Sequence, residues 1–278
     1  PEIISVEDLI GNISKMHTLS SVEQLFEFYE VYKTITPISA QQDFEQFSNW
    51  AKMLLQDFNE IDRYLLKPSH VFDYLKNIDD INHWSVKAED RSMLIAKYLT
   101  FWDQLPTYYT AYKKHLLAQN CGYQGLVYRC AVEGIDAYMS ENSDKMFYFA
   151  GFNALNQAEE QIIQQFLRNN LGKIYWDTDE VFLNDYDHGA GYFARKIKQG
   201  WSYYKSHPYE WIVNEFKQDK SIQIISTPKS VGQAKIVGSI IQDLQKENVN
   251  LQKTAVVLSV ENLLIPVLYA LPNTVASL

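Results

Sequence analysis

Apolar residues recur every three or four positions along most of the first 140 residues, and that spacing predicts helices. In Ser20–Ile35 the stripe is Val22, Leu25, Phe26, Tyr29 and Tyr32, with Ser20 or Ser21 as N-cap, and Thr36–Pro37 ends it. Ser39–Leu66 reads as one long helix on Phe44, Phe47, Trp50, Ala51, Leu54, Leu55, Phe58, Ile61, Tyr64 and Leu65, with Ser39 and Gln42 as a capping box. A short helix follows over Pro68–Ile78, then a loop over Asp79–Trp84. Ala88–Ala118 is helical again, with a break predicted at Pro106. Its face of Phe101, Trp102, Leu105, Tyr108, Tyr109 and Tyr112 has core spacing rather than the look of a base-stacking platform.

After residue 145 the pattern changes. Lys145–Asp179 reads as a short apolar strand, a turn at Gly151–Phe152–Asn153, a helix over Ala154–Asn170, and a second strand at Lys173–Trp176. Strand, helix, strand is the grammar of a βαβ unit in a parallel sheet, where ligands sit at the carboxyl ends of the strands. Those ends are Gly151–Asn156 and Asp177–Asp187. Further strands are expected at Pro1–Val6, Ser221–Ser226, Thr254–Leu258 and Thr274–Leu278, around an amphipathic helix at Lys229–Lys246 and another at Asn262–Ala270. Pro1 in the place of a Met, with a strand-like run stopping at Leu278, points to an interior segment of a longer protein.

Composition narrows the picture. The 278 residues are 46% hydrophobic and 21% charged, as in ordinary globular domains. A net charge of −9 argues against a broadly basic nucleic-acid coat and leaves room only for a local one. Lys113, Lys114 and His115 form a compact basic cluster, read as a solvated helix end. Cys121 and Cys130 lack metal-ligand spacing and read as free thiols in a reducing, cytoplasmic setting. No apolar run is long enough to span a bilayer.

Four segments carry a family resemblance. GFNALNQAE, a helix and IYWDTD resemble the B subunit of AddAB-type helicase–nucleases, and more closely the inactivated superfamily I helicases fused to a PD-(D/E)XK nuclease domain. NWAKMLLQDFNEIDRYLLKP is similar to that family's WGxMLLxDFxxVDxYLV run, and GYQGLVYR to its Gly-Tyr-x-Gly-x-x-Tyr-Arg pattern. QIISTP, a helix and AVVL resemble the entry into a second RecA-like domain. The likeness implies an α/β fold: a RecA-like, P-loop NTPase-type parallel sheet with a large all-helical insertion and the start of a second RecA-like α/β domain. The implied boundaries are 1–36 and 141–228 for the first RecA-like domain, 37–140 for the helical insertion and 229–278 for the second domain.

The chemistry of a motor is missing from these residues. No GxxxxGK[ST] occurs, and the strand FYFAG ends in Gly151–Phe152–Asn153 where a working helicase carries its acidic Walker B end. No catalytic or nucleotide-binding residue is therefore assigned, and no cofactor is expected. Asp57, Asp62 and Arg63 are charges inside a helix, and Asp57 and Asp62 diverge around it, so packing and ion-pair roles are expected. His83, beside Trp84, reads as a packed loop histidine. The fused nuclease core implied by the resemblance would lie beyond Leu278.

Two sets of candidate residues remain. Asn153, Asn156 and Gln157 sit at a strand's carboxyl end, where amides reach bases or phosphates, although they equally suit a helix cap. Asp177, Asp179, Asp185 and His188, with Asp187 beside them, have the donor types for a divalent metal. Relatives have WDxD…DxxHEAG here, and this chain carries Gly189 in place of the Glu. The same loop would also be held by carboxylate-to-amide bonds and by Asp–Arg195 pairing. The resemblance implies a non-catalytic module for double-strand-break processing that binds or scans single-stranded DNA and scaffolds a partner helicase–nuclease subunit, with no membrane partner. The alternative is a metal-dependent hydrolase or nuclease built on the Asp177–His188 loop.

Overall fold

Local capping chemistry starts the first helices. The structure, a computed structural model, describes residues 2–76, 88–210 and 212–275, with the backbone alone along 75–76 and 88–100. α1 (Val6–Ser14) begins after Ser5 and α2 (Ser21–Ile35) after Ser20, each in a capping box with an acidic residue three positions on. Each box satisfies two amides that the helix leaves open. On α2 the buried stripe is Leu25, Phe28, Val31 and Tyr32, while Val22 and Phe26 of the expected stripe are exposed.

α3 (Phe44–Arg63) starts later than its periodicity suggests. Ile38–Ala40 form a single 3-10 turn, and Asp43 is the cap, accepting the Gln46 amide at 2.8 Å. The linker is tied to the end of α2 instead: the Gln41 side chain donates to the Lys33 and Thr36 carbonyls, both at 2.8 Å. α4 (Pro68–Lys76) follows, then α5 (Ala88–Ala118), which runs unbroken through Pro106. Interior proline costs about 3 kcal/mol. Burial of Leu105, Tyr108, Tyr109, Tyr112 and Leu116 among α2 and α3 residues offsets that cost.

β1 (His17–Thr18) pairs in parallel with β2 (Cys121–Gly122), and the chain turns into α6 (Gln124–Glu141). α6 joins two cores. Leu126 belongs to the one shared by α2, α3 and α5. Val127, Tyr128, Ala131, Ile135 and Met139 belong to the one shared with α1 and the segment after residue 145.

That segment forms β3 (Phe147–Ala150), α7 (Gln157–Arg168) and β4 (Gly172–Tyr175). β3 and β4 are parallel, in register from Phe147 opposite Gly172 to Ala150 opposite Tyr175. α7 covers one face, with the Phe166 ring 4.5 Å from Phe147 and 5.6 Å from Phe149 between centroids. Beyond it, β5 (Thr178–Asp179) leads into α8 (Glu180–Asn184) and α9 (Tyr192–Gly200), and pairs in parallel with β6 (Ile212–Val213).

The expected RecA-like parallel sheet is not what the chain builds. It is mostly helical, and strand pairing among the described residues is confined to three separate two-stranded parallel sheets. The βαβ unit forms locally and stops at two strands. The strand expected at Pro1–Val6 gives way to the start of α1, and Ile3 stands in solvent. Ser221–Ser226 and Thr254–Leu258 join no ladder among the described residues, and Ile224 and Val257 are 92% and 90% exposed. The physical reason is that a β-branched run becomes a strand only beside a hydrogen-bonding neighbour, and strand propensity cannot supply one.

Two compact units result, Pro1–Lys217 and Gln218–Leu278. The second is built on α10 (Ser230–Lys246) and α11 (Leu264–Ala270), with Ala234, Gly238 and Ile241 buried on the first and Val267 on the second. Thr274 lies in a turn, and residues 276–278 of the expected final strand lie outside the described residues, as do the Asp79–Trp84 loop and His83.

Candidate functional site

Asp62 is a densely bonded, buried polar group of the first unit. Its carboxylate is wholly buried near the end of α3. The Tyr109 hydroxyl donates to one oxygen at 2.6 Å, the Arg129 Nε–H donates to the same oxygen, and the Tyr123 hydroxyl donates to the other. Arg129 Nη2 also donates to the Ile61 and Leu66 carbonyls at 3.0 and 2.7 Å. Burial first, and the Asp62 charge second, push the Tyr109 and Tyr123 phenols far above their ordinary range. Both stay protonated and act as permanent donors, so the carboxylate is spent on holding α3, α5 and α6 together.

Close by, Asn59 Oδ1 accepts the Gly125 amide at 2.7 Å. A β-carbon at Gly125 would collide with the Asn59 carbonyl oxygen, so only glycine lets the start of α6 approach α3 this closely. The two segments likened to family signatures, 49–68 and 122–129, are thus the two halves of one clasp. An ion-pair role was expected of Asp62; its partners Tyr109, Tyr123 and Arg129 were not anticipated. Asp57 is not part of the clasp, and Arg63 lies 3.6 Å from Glu60 through Nη1.

At the carboxyl end of β3, Asn156 is the N-cap of α7. Its Oδ1 accepts the Glu159 amide at 3.0 Å, and the Glu159 carboxylate accepts the Asn156 amide at 2.9 Å. Asn156 is buried, so its oxygen is committed to the cap; its Nδ2 is buried without a partner. Burial pushes the Glu159 carboxyl up, against the bonds from Asn156 that lower it. Asn153 and Gln157 are exposed on either side.

The acidic loop is committed to backbone. Asp179 is buried and caps α8 through the Val181 amide at 3.0 Å, while its second oxygen accepts the Glu215 and Phe216 amides at 2.8 Å each. Asp185 accepts the Asp187 amide at 3.0 Å, and His188 Nδ1 accepts the Ala190 amide at 3.3 Å. The His188 ring lies 4.6 Å from Phe182, and Asp177 is exposed. Arg195 serves the loop through its carbonyls: the guanidinium donates to Phe182, to Asp185 at 2.7 Å, to Tyr186 at 3.4 Å and to His188 at 3.0 Å. Gly191 passes so close to the Phe182 carbonyl that a side chain there would collide with it. Among the described residues, no three His, Cys, Asp or Glu side chains come together as a group that could hold a metal.

His115 of the basic cluster bonds Glu27 at 2.6 Å across α5 and α2, and that bond is the main cause holding the Glu27 carboxyl below its ordinary range. Burial pushes both thiols up, Cys130 to about 11, which leaves them poor nucleophiles. Among the described residues no helix is long and apolar enough to cross a membrane. Compared with known protein families and with curated proteins, the chain matches none.

Proposed function

We propose that the chain is a non-catalytic, cytoplasmic module of a DNA-repair helicase–nuclease, binding single-stranded DNA weakly and supporting a partner helicase–nuclease subunit. The observation that carries this reading is how the acidic side chains of its family-like segments are used. Asp62 is saturated by two phenols and a guanidinium, and Asp179 by three backbone amides. A general base or metal ligand needs a lone pair turned toward substrate; these are turned into the fold. Such clasps beside the neutral Gly151–Phe152–Asn153 turn suit a scaffold that carries no hydrolytic machinery of its own.

The test is fluorescence anisotropy of the purified chain with a labelled oligothymidylate, without nucleotide, across a salt series. Weak binding that falls with salt is expected. No binding at low salt removes the DNA contact from the proposal. Stoichiometric metal in the purified protein, lost in Asp177→Ala and His188→Ala, would favour a metal-dependent hydrolase instead.

A further inference from the structure

Two-stranded β3–β4 carries α7 on one face. Phe147, Phe149 and Ile174 turn toward α7, while Tyr148 and Lys173, directly opposite each other in register, are exposed. Tyr148 is 65% exposed, and its ring lies nearly parallel to that of Tyr175, with 14° between planes and 6.5 Å between centroids. Parallel sheets are ordinarily buried on both faces, so a face of this make-up calls for an occupant. Its chemistry narrows the choice. The exposed Tyr148 ring offers a stacking surface, and beside it stands an ammonium that no described acidic side chain pairs with. An apolar protein surface would strand the Lys173 charge away from water. A strand of unpaired bases satisfies both features, with a base on the ring and a phosphate on the ammonium.

We propose that this face, Tyr148 with Lys173 directly opposite it, is where single-stranded DNA stacks. The inference rests on the DNA-binding reading above and assigns it to residues other than Asn153, Asn156 and Gln157. Contact through one ring and one lysine also reconciles binding with a chain of net charge −9: affinity is local, tolerant of sequence and modest.

The test uses the whole chain and a fluorescein-labelled oligothymidylate at low salt. Tyr148→Ala is expected to weaken binding by about fivefold or more, and Tyr148→Phe to preserve it, because the ring and not the hydroxyl does the stacking. Lys173→Gln is expected to weaken binding and lower the salt slope by about 0.7. Circular dichroism of each variant checks that the fold is intact. If the parent chain binds and Tyr148→Ala and Lys173→Gln bind equally well, this face is not the site, and DNA binding survives elsewhere. If the parent chain does not bind, the broader reading goes and this one with it. Self-association of the parent chain that Tyr148→Ala abolishes, with DNA affinity unmoved, overturns the proposal in favour of a second copy covering the face.

Discussion

The Asp62 carboxylate and the Arg129 guanidinium, 67 positions apart, form a buried ion pair between α3 and α6. Two phenols complete its hydrogen bonding, and Arg129 spends a second nitrogen on the carbonyls that end α3. Removing one member leaves the others buried without a counter-charge. Asp62→Ala is therefore expected to cost about 3–5 kcal/mol, read as a fall in the urea midpoint. Arg129→Ala should cost at least as much, since the charge it leaves behind, Asp62, is wholly buried, whereas the Arg129 left by Asp62→Ala is 14% exposed. The double variant should lose clearly less than the sum, because the two residues share one network. Strict additivity would mean that the pair is not coupled.

Asn156 separates a structural role from a ligand-binding one. If its oxygen serves chiefly to cap α7, Asn156→Ala lowers stability by about 1 kcal/mol, and Asn156→Ser restores most of it. DNA affinity should be the same for both variants once the folded fraction is matched. A loss of affinity in Asn156→Ser at full stability would return Asn156 to the list of DNA contacts.

The Glu27–His115 bond predicts a pH dependence of definite sign. The folded state holds the Glu27 carboxyl below its ordinary 4.5, first through the His115 hydrogen bond, with burial and Glu23 opposing. A depressed carboxylate contributes stability that is present above the unfolded value and lost as pH falls through the folded one. Stability measured by urea titration should therefore drop below about pH 4.5. Glu27→Gln should make that acid limb shallower, with little change in slope between pH 6 and about 5. An unchanged acid limb in Glu27→Gln would show that the bond contributes nothing to folding.

Features whose partners lie within one helical turn were legible in the sequence. A cap at Ser20 or Ser21 was expected and Ser20 is the cap, and the Lys145–Asp179 run shows its strand–helix–strand order directly. The box expected at Ser39 and Gln42 gave way to a cap at Asp43, and the other failures depend on distant neighbours. Pro106 signals a break by its own chemistry, but tertiary burial of Tyr108, Tyr109 and Tyr112 carries the helix through it. SIQIIS and TAVVL have strand composition, yet nothing in a run of valines and isoleucines reveals whether another strand lies alongside. That is why a RecA-like sheet was expected from the family likeness and two-stranded pieces were found. The Asp62 clasp was hidden for the same reason. Its four members come from α3, α5, the residue before α6, and α6, and their spacing along the chain carries no period that would link them.

Asp179 decides between an acidic loop that holds metal and one that holds itself. Its two oxygens tie α8 to the chain just beyond β6, so three amides lose their acceptor if the carboxylate is removed. Each buried donor left open costs about 1–3 kcal/mol, and partial exposure of the site places the total for Asp179→Ala toward the lower end of that range summed over three. Asp179→Asn keeps one oxygen and should fall between. None of this needs a cation. The melting temperature of the parent chain should be the same with and without EDTA, and added Mg²⁺, Mn²⁺ or Zn²⁺ should leave it unmoved at millimolar or lower concentration. A ligand that binds only the folded chain raises its stability by RT ln(1 + [L]/Kd), so a bound metal cannot stay silent in this measurement. A rise with Mn²⁺ or Zn²⁺ that Asp179→Ala and His188→Ala both abolish would show that these side chains trade their backbone bonds for an ion.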